Sequence, residues 1–290
     1  MDRVTRKAYA KIKLGLDVIR RRPDGYHEVK MIMQTVGIYD VLTFQKREGT
    51  GKFPDIVISL DKEELPCDKN NLIYKAAELI MKAYNIREGV DITLNKNIPI
   101  AAGMAGGSTD AAAVFHGLNE LFGLSMSLEE MKQMGVKIGA DVPYCIVGGT
   151  MLSEGIGEIL TPLPAPPKAF LVIAKPDISV STKFVYENLH ADTLIYHPDI
   201  DGMVEALRQG SLAGITDRMG NVLETVTQKA YPVIAELKEE MRNGGAQNAL
   251  MSGSGPTVFG IYKEQGAARE SYEAIRKSGL VRQIFITEFV

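Results

Sequence analysis

The chain has 290 residues, 45% hydrophobic and 24% charged, which suits a soluble globular protein of one large or two ordinary domains. Its 33 Lys and Arg against 36 Asp and Glu leave a formal net charge of −3, without the basic excess of a nucleic-acid binder, although a local basic patch can still hold a small anion. The distant cysteines Cys67 and Cys145 read as thiols of a reducing cytoplasm, and no window approaches the roughly 18 apolar residues of a membrane span.

Residues 4–20 alternate, with Tyr9, Lys11 and Lys13 on one face and Ala10, Ile12 and Leu14 on the other, which predicts a strand rather than a signal peptide. "RRPDGYH" at 21–27 breaks it with Pro-Asp-Gly turn chemistry. "EVKMIMQTV" and "VLTFQK" read as two further strands. "NLIYKAAELIMKAY" places Leu72, Ala76, Leu79 and Ala83 on one helical stripe. "VDITLNK" is a strand that leads into "PIAAGMAGGSTDAAA", beginning at Pro99. The pattern is helical from Ser108 to Phe122 and ends at Gly123. A second helix is expected over roughly 127–137, capped by Ser127 with Glu129 and Glu130 in its first turn.

"LPAPPK" at 163–168 is the best boundary, because its prolines continue neither a helix nor a central strand. It divides the chain into 1–162 and 163–290. The second part opens on the strand "AFLVIA" and continues through several helices. Strands near 247–251 and 256–262, a helix near 264–278 and a strand near 281–288 complete it. No repeat or low-complexity tract interrupts the chain. Strands and helices are grouped rather than alternating, so the fold class is α+β in two domains.

The small-residue stretch carries the first functional signal. Glycine admits positive φ and removes the Cβ that would hold a ligand away. Gly103, Gly106 and Gly107 precede a helix start, whose first N–H groups lack partners inside the helix and, with its dipole, suit an anion. Ser108 and Thr109 add hydroxyls, Ser108 as a candidate cap. Ala111, Ala112 and Ala113 let the helix pack closely and fix its tip. A plain tight turn is the competing reading, but the coincidence of three glycines, two hydroxyls and a long helix favours a phosphate chain. No Walker A string and no G-x-G-x-x-G occurs.

"PIAAGMAGGSTDAAA" resembles the ATP-binding motif of the GHMP kinases. "AYAKIKLGLDV" resembles their N-terminal strand motif and "LMSGSGPTVFGIY" at 250–262 their C-terminal Gly-Ser motif, in the family's order. The resemblance implies a two-domain fold, with an N-terminal domain like domain 2 of ribosomal protein S5 and a ferredoxin-like C-terminal domain. It also implies an enzyme that phosphorylates a small alcohol with ATP, taken as Mg-ATP. The nucleotide would be held by Pro99, Ile100, Ala101, Ala102, Gly103, Met104, Ala105, Gly106, Gly107, Ser108 and Thr109, with Asn71 near the adenine.

"RRPDGYHEVKMIMQTV" and "IGADVPYCIVGGT" are similar to a member whose substrate is cytidine diphosphate methylerythritol. By that likeness Asp141 is the base and Lys11 the catalytic cation, although a turn aspartate and a strand lysine are more often structural and solvated. Tyr26 and His27 would recognise the cytosine and Tyr186 close an aromatic sandwich, where a helix residue packed on the core is the equal alternative. Ser181 and Thr182 are hydroxyl contacts, and Ser252, Gly253 and Ser254 line the substrate or support the loop.

One departure stands out. The family's A-K-I-N-L reads "AKIKL" here, so Lys13 replaces an asparagine on the face of Lys11. Two like charges repel there, and Lys13 is expected to contact substrate, one cation meeting Asp141 and the other a phosphate. His116, His190 and His197 read as structural or loop residues, and "HEVKM" lacks the second histidine of a zinc protease site. No acidic pair marks metal ligands, and Asp110 is an unsupported candidate. A monomer or weak homodimer without nucleic acid or membrane partners is expected. The rivals are a sister kinase for another small alcohol and a sensor that has lost catalysis.

Overall fold

The computed structural model describes residues 2–290. By contact the chain forms two units. One contains the chain through Ala10, Ile38–Ile98 and Ala105–Val147, and the other Lys11–Gly37, Pro99–Met104 and Gly148–Val290. Two long strands, β1 (Arg3–Arg21) and β2 (His27–Arg47), contribute residues to both.

The sequence alternation of β1 suggests one polar, wet face. Instead every residue from Ala10 to Val18 is buried, Lys11 at 3% and Lys13 at 9% exposure. The two lysines therefore are not solvated strand residues. β2 also departs from expectation, because "EVKMIMQTV" and "VLTFQK" form one strand rather than two. Gly37 looks like a break, but it is not among the positive-φ residues. A Cβ there would stand 2.7 Å from Thr287 Oγ1, so the glycine admits a close neighbour rather than a turn.

The first unit adds β3 (Ile56–Leu60), α1 (Leu72–Ala83), β4 (Gly89–Asn95), α2 (Gly106–Phe122), α3 (Leu128–Gly135) and α4 (Val142–Val147). Val41–Arg47 of β2 pairs antiparallel with β4, and β3 pairs parallel with β4. α2 packs against α1, α3 and α4. Gly117 lets α2 approach β2, since a Cβ there would meet the Phe44 ring. The expected stripe on α1 is off by a residue. Ile73, Ala76, Ala77, Ile80 and Met81 are buried, while Ala83 is exposed and Leu72 and Leu79 are half-buried. Both stripes are apolar, so the periodicity gave the helix but not its rotation. Ser127 caps α3 through Glu130 N–H, as its sequence predicts.

The second unit adds β5 (Thr150–Glu154), β6 (Ile159–Pro162), β7 (Phe170–Lys175), α5 (Thr182–Glu187), α6 (Ile200–Arg208), α7 (Leu212–Thr216), β8 (Gly220–Asn221), α8 (Glu224–Ala230), α9 (Val233–Asn243), β9 (Asn248–Met251), β10 (Val258–Tyr262), α10 (Gln265–Ser278) and β11 (Gln283–Glu288). β5 pairs antiparallel with β6 and with Met31–Gln34 of β2, and β8 runs parallel to β1 at Gly15 and Leu16. A four-stranded antiparallel sheet has the order β11-β7-β10-β9, with α9 and α10 packed on it. Counted along the chain this order is 4-1-3-2, the ferredoxin-like arrangement. Among the described residues no helix is long and apolar enough to cross a membrane.

Candidate active site

The phosphate-loop sequence is built in two pieces, one in each unit. Pro99–Met104 belongs to the second unit and is clasped from two sides. Lys11 N–H donates to Met104 O at 3.2 Å, and Lys11 Nζ donates to Gly103 O at 2.9 Å. Ser252 Oγ donates to the same Gly103 oxygen at 3.1 Å. Gly103 has φ +73°, and a Cβ on it would lie 2.4 Å from Ser252 O and 3.1 Å from Gly255 O. Glycine is thus required here by conformation and by space together.

The Gly-Ser segment that faces this loop is itself held. Asn221 Nδ2 donates to Met251 O and to Gly253 O, each at 2.8 Å. Ser254 Oγ and Thr182 Oγ1 are 2.8 Å apart. A Cβ at Gly253 would stand 3.9 Å from Lys13 Cδ, which sets the Lys13 side chain alongside this turn. Ser252, Gly253, Lys11, Lys13 and Gly103 therefore gather in one place.

From Ala105 onward the chain belongs to the first unit. α2 begins at Gly106 and not at Ser108, and its N-cap is Ala105, which makes no side-chain cap hydrogen bond. Ser108 is consequently within the first turn, and the expectation that it caps the helix is corrected. The first intrahelical bond is Thr109 N–H to Ala105 O, so the N–H groups of Gly106, Gly107 and Ser108 precede the helical ladder. The run 101–105 alternates through left-handed backbone at Ala101 (φ 53°), Gly103 and Ala105 (φ 58°). Two of those three are alanines, which costs roughly 1–2 kcal/mol apiece. Strain of that kind persists where the surroundings over-determine the backbone, and it concentrates at functional loops.

Thr109 Oγ1 donates to Tyr9 O at 2.7 Å, so that hydroxyl ties α2 to β1. Asn71 is similarly engaged: its Oδ1 accepts from Ile73 N–H at 2.9 Å and its Nδ2 donates to Pro66 O at 2.8 Å. Its helix start still borders the phosphate helix, since a Cβ on Gly107 would touch Leu72 Cδ1 at 3.4 Å. Asp141 immediately precedes α4, and its carbonyl accepts from Cys145 N–H at 3.0 Å. Two residues earlier, a Cβ on Gly139 would lie 4.0 Å from Ser108 Oγ. That proximity brings the segment bearing Asp141 to the first turn of α2 within the same unit.

The aromatic residues divide. His27 and Tyr186 are in direct ring contact, with centroids 5.0 Å apart and planes tilted by 36°. Tyr26 is 61% exposed. Burial, and secondarily the charge of Arg21, holds the His27 imidazole below its usual 6.5, against an opposing pull from Asp192. That shift favours the neutral ring, which offers one donor and one acceptor. Ser181 caps α5 by accepting from Phe184 N–H.

Sequence reasoning missed a buried ionic cluster beside α2. Lys96 Nζ lies 2.5 Å from Asp40 Oδ2 and 2.5 Å from Asp110 Oδ2. No local motif announces it, because its members come from the interior of β2, the end of β4 and α2. Asp110 is held by Lys96, and among the described residues no three His, Cys, Asp or Glu side chains gather as a metal site. Chemically, one unit offers the first-turn N–H groups of α2 with the segment bearing Asp141 nearby, and the other holds the buried cations Lys11 and Lys13 beside the Gly103 turn.

Comparisons with known proteins agree over the full length. The model "GHMP kinases N terminal domain" matches residues 71–149, and "GHMP kinases C terminal" matches residues 203–280. A Lachnoclostridium phytofermentans protein named 4-diphosphocytidyl-2-C-methyl-D-erythritol kinase is 51% identical over 289 residues, covering 100% of this chain and 98% of the relative. A Clostridium perfringens protein of the same name is 47% identical, covering 98% of this chain and 97% of the relative. A crystal structure titled 4-(cytidine 5'-diphospho)-2C-methyl-D-erythritol kinase superposes with a TM-score of 0.83 at 31% identity over 99% of each chain. A homoserine kinase from Cytophaga hutchinsonii, at 20% identity and a TM-score of 0.79, shares the fold. With its motifs, its fold and its full-length relatives in agreement, the chain belongs to the GHMP kinase family.

Proposed function

We propose that this chain phosphorylates the 2-hydroxyl of 4-diphosphocytidyl-2-C-methyl-D-erythritol with ATP, in the non-mevalonate isoprenoid pathway and in the cytoplasm. The observation that carries the reading is the clasped Gly103 loop running into the uncapped tip of α2. Full-length relatives named for this kinase support the choice of substrate. The division at 162/163 is supported by the two family models falling on either side of it.

The site residues divide the work. The first-turn N–H groups of α2 and the loop 99–105 hold the nucleotide phosphates, which suits a helix N-terminus. Asn71 shapes the neighbouring adenine side through the start of α1. Asp141 accepts the proton of the substrate hydroxyl. Lys11 holds the Gly103 carbonyl and with it the loop, while Lys13 supplies the second buried cation to the substrate side. Tyr26 and Tyr186 stack the cytosine, and neutral His27 hydrogen-bonds its edge, with Ser181 and Thr182 nearby. Mg²⁺ taken up with ATP would supply charge neutralisation at the phosphoryl oxygens.

Incubation with Mg-ATP and the cytidine substrate, followed by mass analysis of the products, tests the reading. A monophosphorylated product with equimolar ADP is expected; nucleotide binding without product would favour the sensor instead. Removal of the Tyr186 ring discriminates the sister-kinase reading. Base stacking is worth about 1–3 kcal/mol, so Tyr186→Ala should raise KM for the cytidine substrate roughly 5- to 150-fold. Initial rates at fixed ATP measure it, and an unchanged KM would remove the aromatic site.

A further inference from the structure

The buried cluster beside α2 has a charge imbalance. Asp40, Lys96 and Asp110 are 0%, 7% and 3% exposed, and two carboxylates share one ammonium. If all three were ionised, a net negative charge would be buried, which is costly. One carboxylic acid removes it. Asp40 is the poorer choice, because Oδ1 accepts from Asn97 N–H at 2.6 Å and Ile98 N–H at 2.7 Å, and Oδ2 accepts from Lys96. Both Asp40 oxygens are serving as acceptors. Asp110 Oδ1, by contrast, is buried without a hydrogen-bond partner.

Lys96 also borders the phosphate helix. A Cβ on Gly106, the first residue of α2, would lie 3.0 Å from Lys96 Nζ and 3.2 Å from Ile98 Cγ2. The ammonium thus sits beneath the helical tip, tied to β2 by Asp40 and to α2 by Asp110. We infer that the cluster carries one proton on Asp110, and that Lys96, held between the two acids, is a positioning residue that fixes the first turn of α2 for nucleotide phosphates. The positioning half rests on the phosphate-loop reading; the proton half does not.

Burial, and then the charge of Asp40, pushes the Asp110 carboxyl upward against the pull of Lys96. These are the charged groups that act on it. The buried residues of α1, α3 and α4, which pack on α2, include Ile73, Ala76, Met131, Val142 and Tyr144, and no charged side chain is among them. The folded state then keeps a proton that the unfolded chain has lost above the ordinary value of 3.8. Stability contributed by this group is present at low pH and falls as pH rises toward the raised value.

Asp110→Asn keeps the neutral shape and cannot ionise. Its Tm relative to the wild type should therefore increase steadily between about pH 5 and about pH 8. Infrared spectra near neutral pH should show a protonated carboxylic acid C=O stretch in the wild type that is missing in the variant. A flat Tm difference and no such band would overturn the proton assignment. For the positioning role, Lys96→Gln should raise KM for ATP about tenfold or more while kcat falls less than about threefold. An unchanged KM, or a loss confined to kcat, would overturn that role. Should Lys96→Gln fail to fold, Asp40→Asn/Lys96→Gln is neutral at both positions and carries the same kinetic readout. Failure of the wild type itself to bind an ATP analogue would overturn the phosphate-loop reading and the positioning role with it, leaving the infrared and Tm results to decide the proton.

Discussion

Asp141→Asn is expected to lower kcat by two to four orders of magnitude while nucleotide affinity stays within about twofold, since a positioned base typically contributes about 10²–10⁴-fold. The change is nearly isosteric and removes the carboxylate proposed to accept the hydroxyl proton. It leaves intact the Asp141 carbonyl, which accepts from Cys145 N–H, so the start of α4 is preserved. Steady-state turnover with saturating substrates and calorimetric titration with a non-hydrolysable ATP analogue together check it. Near-normal turnover would remove Asp141 as the base; a parallel loss of nucleotide affinity would instead mean that the substitution has disturbed the neighbouring tip of α2.

The second large effect concerns Gly103, and a paired substitution isolates its cause. Gly103 and Gly123 both occupy left-handed backbone, with φ +73° and +62°. Alanine at either position incurs the same conformational penalty, about 1–2 kcal/mol. Their surroundings differ. A Cβ at Gly123 meets nothing within 4 Å, whereas at Gly103 it lies 2.4 Å from the Ser252 carbonyl oxygen. That oxygen belongs to backbone and cannot swing aside as a side chain would. Gly123→Ala should therefore lose only about 1–2 kcal/mol of stability and keep its nucleotide affinity. Gly103→Ala should displace the loop and lose at least about tenfold in affinity, a difference of roughly 1.4 kcal/mol. Thermal unfolding and the same calorimetric titration measure both. Equal, mild effects at the two glycines would show that the clasp between Gly103 and Ser252 does not hold the nucleotide loop.

Local signals in the sequence carried much of this architecture. Alternation in β1, the turn at 21–27, the Ser127 cap and the helix after the glycines all follow from short-range chemistry, and each is present. The misreadings come from information that is not local. β2 reads as two strands until the neighbour filling the space at Gly37 is known. The rotation of α1 is ambiguous because Leu72, Ile73, Leu79 and Ile80 satisfy two neighbouring stripes equally well. α2 begins two residues earlier than its first hydroxyl suggests, because left-handed Ala105 starts it without a side-chain cap.

Candidates for the site carry local signals in the same way. Lys11, Gly103 and Ser252 are far apart in the chain, and each lies in its own motif; the hydrogen bonds from Lys11 Nζ and Ser252 Oγ to the Gly103 carbonyl appear only in three dimensions. Lys13 departs from the family pattern, and the structure buries it. Asp40 and Lys96 had no such signal. An aspartate in a strand and a lysine at a strand end look solvated until Asp110 of α2 closes the cluster.

A crystal of the protein grown with a non-hydrolysable ATP analogue and Mg²⁺ measures the central point. The polyphosphate density is predicted over Gly106, Gly107 and Ser108, within hydrogen-bonding reach of their N–H groups. Well-ordered nucleotide bound elsewhere, with that helical end left unoccupied, would contradict the account.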